Sequence, residues 1–236
     1  MAQPFLEEPN RGLELPTVGL SGEFDATSVV TNPAGMSHLG AGHLGMALNL
    51  GDRDDATYGG QGFGMYWATR LFGSVSYGMA FEWVRSSRSN LTPDVGTPFK
   101  LTSSLAFKTG KRSSIGVSWQ RFFDDGNLGG NSAWDVGYTN RFNAAFSLGA
   151  VVRNLNPQSV SGIEGQRTYD VEATFRPIKT DGLELSLGTS IGEKRAAVED
   201  AQGIDFWIRG SVQLIRGIYL KAVSYTHLTL PTTPYV

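Results

Sequence analysis

From Ser74 to Trp83 every second residue is large and apolar: Val75, Tyr77, Met79, Phe81 and Trp83, with Ser74, Ser76, Gly78, Ala80 and Glu82 between them. A period of two places all the large side chains on one face of a β-strand. The pattern recurs. Phe99, Leu101, Leu105 and Phe107 oppose Lys100, Thr102, Ser104 and Lys108; Tyr169, Val171, Ala173 and Phe175 oppose Asp170, Glu172, Thr174 and Arg176. It predicts strands over 43–51, 61–71, 74–85, 98–108, 112–123, 132–140, 143–154, 167–177, 182–192, 204–214 and 217–223, with no long amphipathic helix after residue 43.

The gaps between these strands alternate in length. Those at 71–74, 109–112, 140–143, 178–182 and 215–217 are tight, whereas 52–60, 86–97, 124–131, 155–166 and 193–203 are long and polar. Short turns at one end and long loops at the other are the rhythm of an antiparallel transmembrane β-barrel. No apolar run approaches the roughly 20 residues of a spanning helix, but a barrel strand crosses a bilayer in about 9–11 alternating residues. Large aromatics near strand ends, such as Trp67, Trp83, Phe107, Phe123 and Trp134, suit interfacial girdles.

The polar face carries both signs of charge among many small residues: Glu82, Lys100, Arg153, Asp170, Glu172, Arg176, Glu184 and Arg209 are the candidate lumen-facing charges. A wide lumen lined by paired charges has this composition. A soluble antiparallel barrel with its apolar face inward is the alternative. The membrane reading predicts that Leu185→Arg lands in lipid, while Ser186→Arg enters the lumen at much lower cost.

Charged residues make up 18% of the chain and the net charge is −2, which argues against a nucleic-acid partner. There are 30 Gly and no Cys, so neither a disulfide framework nor a thiolate site is available. Absence of Cys fits an exported protein. Met1-Ala2-Gln3 reads equally as the remnant of a signal peptide or as an ordinary start.

Residues 12–50 do not alternate at first. They run GLELPTVGLSGEFDATSVVTNPAGMSHLGAGHLGMALNL, with a Pro between Asn and small residues that suits neither strand nor helix. This segment resembles the N-terminal region of FadL-type outer-membrane barrels, which pass hydrophobic compounds. The matching residues are Gly12, Leu13, Gly19, Gly22, Asp25, Ala26, Asn32, Pro33, Ala34 and Gly35. The resemblance implies that residues 1–42 form a plug inside a barrel spanning 43–223, with Asp25, Ala26, Asn32, Pro33, Ala34 and Gly35 as the plug motif. It also implies an outer-membrane location, membrane lipid as surroundings and a hydrophobic small molecule as solute. The chain lacks the family's extended hydrophobic outer loops, so no substrate-binding residue carries over.

A second set of stretches, LEEPNRGLELPT, NPAGM, GQGFGMYWA, LTPDVGTPFKLTSSLAF and FDDGNLGG, resembles the barrel-like front of myxobacterial SppA-type signal peptide peptidases. That resemblance implies a non-catalytic anchor for a downstream serine protease domain. The closing VSYTHLTLPTTPYV resembles a translated sequencing adapter of metagenomic reading frames, so residues 224–236 are expected to be a non-native tail that leaves the sheet at Val223. Eleven strands is an odd count where bacterial single-chain barrels are even. The expectation is therefore a chain cut short, with a gap between 217–223 and 43–51.

No catalytic set emerges, and the expectation is a non-enzyme without cofactor or metal. His38 and His43 are five apart without a third ligand, and His227 lies in the tail. Asp52, Asp54 and Asp55 lack a complete Ca²⁺ pattern. Gly59–Gly64 precedes no helix and is not a dinucleotide fingerprint. Asp170 and Glu172 could be paired catalytic carboxylates, with salt bridges to Arg153 or Arg176 as the competing use.

Overall fold

The computed structural model describes residues 12, 13, 15, 17–50, 61–85, 99–123, 129–157, 159–160, 163–164, 167–178, 182–193, 203–215 and 218–229. Alternation becomes structure almost strand for strand. The strands are β1 (His43–Asn49), β2 (Gln61–Phe72), β3 (Val75–Arg85), β4 (Phe99–Lys108), β5 (Ser113–Phe123), β6 (Ser132–Arg141), β7 (Phe146–Arg153), β8 (Ser159–Val160), β9 (Ile163–Glu164), β10 (Thr168–Phe175), β11 (Leu183–Gly192), β12 (Gly203–Ile215) and β13 (Ile218–Thr229). Eleven of them form one sheet in sequence order, from β1 to β7 and then β10 to β13, and β8 pairs only with β9. All the ladders of the large sheet are antiparallel. Its edges, β1 and β13, are not paired with each other among the described residues, the gap that an odd count predicts.

Three expectations need correction. β7 begins at Phe146 instead of residue 143, because Asn143 Oδ1 accepts the N–H groups of Ala145 and Phe146 at 2.7 and 2.8 Å and holds this stretch as a turn. The loop 155–166 contains the β8–β9 hairpin, whose strands of two residues are too short for alternation to reveal. The last strand does not stop at Val223. It pairs with β12 as far as Thr229, with Trp207 opposite Tyr225 and Ile204 opposite Leu228. The long β12 offers free backbone groups over this stretch, Ser224–Thr229 contains no Pro, and the first Pro beyond it is Pro231. The candidate loop Asp52–Asp55 lies outside the described residues.

The two faces are distributed as the membrane reading requires. Leu187 and Ile208 point outward and are 62% and 59% exposed, with Leu44, Leu105, Val136 and Leu220 on the same surface. Glu82 and Glu172 are 1% and 0% exposed on the opposite face. The apolar side is thus the outside of the wall, which removes the soluble barrel with an inward apolar face. What fills the inside is the N-terminal segment. Leu13, Phe24, Ala26, Val29, Met36 and Leu39 pack with Tyr66, Ala68, Ala80 and Ala106 of β2, β3 and β4 in one buried cluster.

Candidate functional site

The plug motif works by local caps. Asp25 Oδ1 accepts the Thr27 N–H at 2.7 Å and also the Thr27 hydroxyl, an Asx turn that leads into the single helical turn Ser28–Thr31. Asn32 then caps the 3₁₀ turn Pro33–His38: its Oδ1 accepts the Ala34 N–H at 3.2 Å. Its Nδ2 donates to the Leu20 carbonyl at 2.7 Å and to the Tyr138 carbonyl of β6 at 3.2 Å, so one buried side chain ties two plug segments to the wall. Pro33 sits at the start of the 3₁₀ turn, where its missing N–H costs nothing. Gly35 lies where a Cβ would overlap the Phe24 ring. Ala26 is buried, and a Cβ placed on Gly45 of β1 would lie 3.5 Å from its methyl group.

The wall accommodates the plug by shortening its own side chains. A Cβ on Gly116 would fall among the backbone atoms of Pro33 and Ala34, and one on Gly137 would fall on the Asn32 side chain. Nearby, Ser104 donates to the Val29 carbonyl and Ser114 to the Ala34 carbonyl, each at 2.8 Å. His38 stacks on Phe24 with ring centroids 5.3 Å apart, and its Nε2 lies 3.2 Å from the Ser114 hydroxyl. Burial, then the positive charges of Arg141, Lys108 and Arg176, lower its pKa to about 4.

All eight candidate lumen charges point inward, and they fall into four groups. Glu82 and Lys100 stand directly opposite each other in the β3–β4 register, 3.2 Å apart. Glu82 Oε1 also accepts the Leu13 N–H at 3.2 Å and the Tyr66 hydroxyl at 3.0 Å. Arg153 Nε donates to Asp170 at 2.6 Å, with Asp135 at 3.9 Å from the same guanidinium. The guanidinium donates further to the carbonyls of Val30 and Thr31 at 3.1 and 2.8 Å, where the helical turn ends. Arg176 pairs with Glu184 at 3.0 Å, and Glu184 accepts the Glu23 N–H at 3.2 Å. Asp170 and Glu172 share a face of β10, and each is paired with a different arginine, Arg153 and Arg209.

Glu172 is the most heavily engaged group. Its Oε1 accepts the N–H of Leu20 at 2.8 Å, the N–H of Ser21 at 3.2 Å and the Ser21 hydroxyl at 3.3 Å. Its Oε2 accepts Trp207 Nε1 at 2.9 Å and the Arg209 guanidinium. The reach of Trp207 depends on Gly188, which lies between them in register and over which the indole lies. Glu172 thereby holds the Gly19–Ser21 turn of the plug against β10 and β12.

Beside this latch lies a cavity of about 230 Å³. Leu13, Leu15, Val18, Leu20 and Val30 form its plug side, and Arg153, Asp170, Asp205 and Arg209 supply charge from the wall. Trp207 and Tyr225, with ring centroids 6.5 Å apart, close its β12–β13 side. Sequence reasoning missed the inward aromatics Tyr66, Phe122 and Trp207, because it assigned large apolar residues to the outer face, and missed Tyr225 because it placed residues 224–236 in a tail outside the sheet. Strand parity carries the signal: Tyr66 falls in phase with Gly64 and Ala68, and Trp207 with Arg209. Among the described residues no three His, Asp or Glu side chains stand close enough to hold a metal ion.

An eleven-strand wall wrapped around an N-terminal plug is matched by the crystal structure of a Pseudomonas aeruginosa FadL homologue, with a TM-score of 0.59 over 94% of this chain and 80% of that one. The fold is FadL-type. Sequence identity across that match is 11%, so the FadL-type likeness is one of architecture. No family model matches the chain, and no curated protein is similar to it. None of these comparisons links the chain to SppA-type peptidases.

Proposed function

We propose that this protein is an outer-membrane barrel that binds a hydrophobic solute beside its plug and passes it through the lumen. The observation that carries the reading is the inverted wall: leucines, isoleucines and aromatics outside, ion pairs and a plug inside. An outward apolar surface of this extent is stable only when lipid or an equivalent apolar phase covers it. The FadL-type architecture supports the same reading. The cavity has an apolar plug side and a charged wall side, which suits a solute with an apolar body and a polar end. At about 230 Å³ it lies below the roughly 300–1,000 Å³ of drug-sized sites, so the plug turn at Gly19–Ser21 has to shift for a long solute.

The test is refolding into phosphatidylcholine vesicles, followed by titration with a fluorescent fatty-acid-like probe while Trp207 emission is followed. A heat-modifiable band and saturable quenching that Trp207→Phe removes are the expected results. Insertion without binding overturns the solute role and leaves a barrel that serves as an anchor, the role a downstream protease domain would use. A soluble monomer that never inserts overturns the membrane placement.

A further inference from the structure

Strand termini aside, Arg121 is the one charged residue on the outward face of the eleven-strand wall among the described residues. It alternates along β5 with buried Gln120 and Phe122 and is itself exposed. Its register neighbours are Leu101 on β4 and Ser132 on β6, and no Asp or Glu shares that outward surface among the described wall strands. Every other charge in the wall strands, termini aside, points inward.

Just above it, toward the long loops, runs a row of aromatics in strict register: Phe63, Trp83, Phe99 and Phe123. Their ring centroids are 5.9, 5.2 and 5.9 Å apart in turn. An outward aromatic row at a strand end marks the depth of the lipid headgroups. Arg121 sits two residues inside that level, and its guanidinium lies 5.4 Å from the Phe123 ring, drawn up toward the row. A guanidinium stays charged at any physiological pH, so at this depth it calls for an anion, and the outer face offers none among the described residues. A phosphate diester matches its planar fork with two parallel hydrogen bonds.

We propose that Arg121 and the Phe99–Phe123 edge of this row form a binding site for the phosphate of an anionic membrane lipid, with the acyl chains lying along Leu101, Trp119 and Trp134. The proposal rests on the membrane reading above. The full-length chain, refolded into mixed phosphatidylcholine and phosphatidylglycerol vesicles and extracted gently, is assayed for retained lipid by native mass spectrometry. Wild type should retain phosphatidylglycerol over phosphatidylcholine by roughly tenfold, because both carry the phosphate diester but the choline of phosphatidylcholine cancels its charge. Arg121→Gln should lose that preference and Arg121→Lys should keep part of it. Equal phosphatidylglycerol retention by wild type and Arg121→Gln overturns the site. Displacement of the lipid by inorganic phosphate alone also overturns it, since the site would then be one for free anions. Insertion with no lipid preference removes this proposal only, whereas failure to insert into phosphatidylcholine removes the membrane reading beneath it.

Discussion

The plug meets the two halves of the wall in different ways. Against β2–β6, residues 28–38 lie directly on the strands, through Gly78, Gly116 and Gly137 and the hydroxyls of Ser104 and Ser114. On β7, Leu20 and Ser21 also lie directly on Gly149 and the Ser147 hydroxyl, but toward β10–β12 residues 19–31 are reached mainly through the long side chains of Arg153, Glu172 and Glu184. Both arrangements satisfy the plug's backbone donors and acceptors, which a buried irregular segment requires. Close approach puts plug backbone in contact with the wall in the first half. Long charged arms hold the chain off the wall, and the cavity lies on that side. The close-packed half seats the plug, and under the proposed solute role the half built on ion pairs is the one in which displacement is expected.

The sharpest way to break this comparison is Glu172→Ala. It strips five donors of their acceptor and leaves Arg209 buried without this carboxylate. A loss of about 3–5 kcal/mol is expected, the cost of breaking a buried pair. Proteolysis should then cut the plug near Gly19–Ser21 while residues 28–38 stay protected. Uniform protection would show that the latch carries no such weight.

Next in size is Leu185→Arg on the outer face, expected to cost about 2–4 kcal/mol near the bilayer midplane and to be read as a lowered refolding yield in vesicles. The companion change Ser186→Arg is no longer cheap. Ser186 is buried and hydrogen-bonded to Thr174 at 2.8 Å, which in turn meets the Ser21 hydroxyl at 2.6 Å. The inner face is occupied by plug instead of water, so an arginine there has to push the plug aside. Refolding that tolerates Leu185→Arg without loss would count against lipid on that face.

Gly116→Ala sharpens the account of the close-packed half. One methyl group placed among the Pro33 and Ala34 backbone atoms should cost about 1–3 kcal/mol as overpacking, while Gly210→Ala, with no atom nearer than 3.9 Å, should cost little by that mechanism. Thermal unfolding of both variants in one detergent checks the contrast, and equal midpoints would remove close approach as the reason for these glycines.

The smallest effect is that of pH on His38. Its folded pKa, about 4, lies below the ordinary 6.5, so the unfolded chain takes up the proton first. The stability this neutral ring contributes is complete above pH 6.5 and is lost as pH falls from there toward 4. At pH 5.5 the loss is about 1 kcal/mol. His38→Gln should flatten the unfolding profile over that window, and an unchanged slope would place the titrating group elsewhere.

The sequence by itself determined the strands, their order and which residues share a face, because a period of two is a property of the local chain. It also marked the segment around Asn32 and Pro33 as neither strand nor helix. The direction in which each face points was left open, since a soluble barrel and a membrane barrel have the same alternation. Tertiary structure decided that by placing the plug against Glu82, Glu172 and the glycines. It also decided which charges pair: Glu172 meets Arg209 two strands away in the sheet instead of Arg176 on its own segment. The fate of residues 224–229 was likewise out of reach, because whether an extended segment joins a sheet depends on a neighbour with free hydrogen-bonding groups, and β12 provided one. Parity is written in the chain; partners across a sheet, and what occupies the space beside them, exist only once the chain has folded against its own beginning.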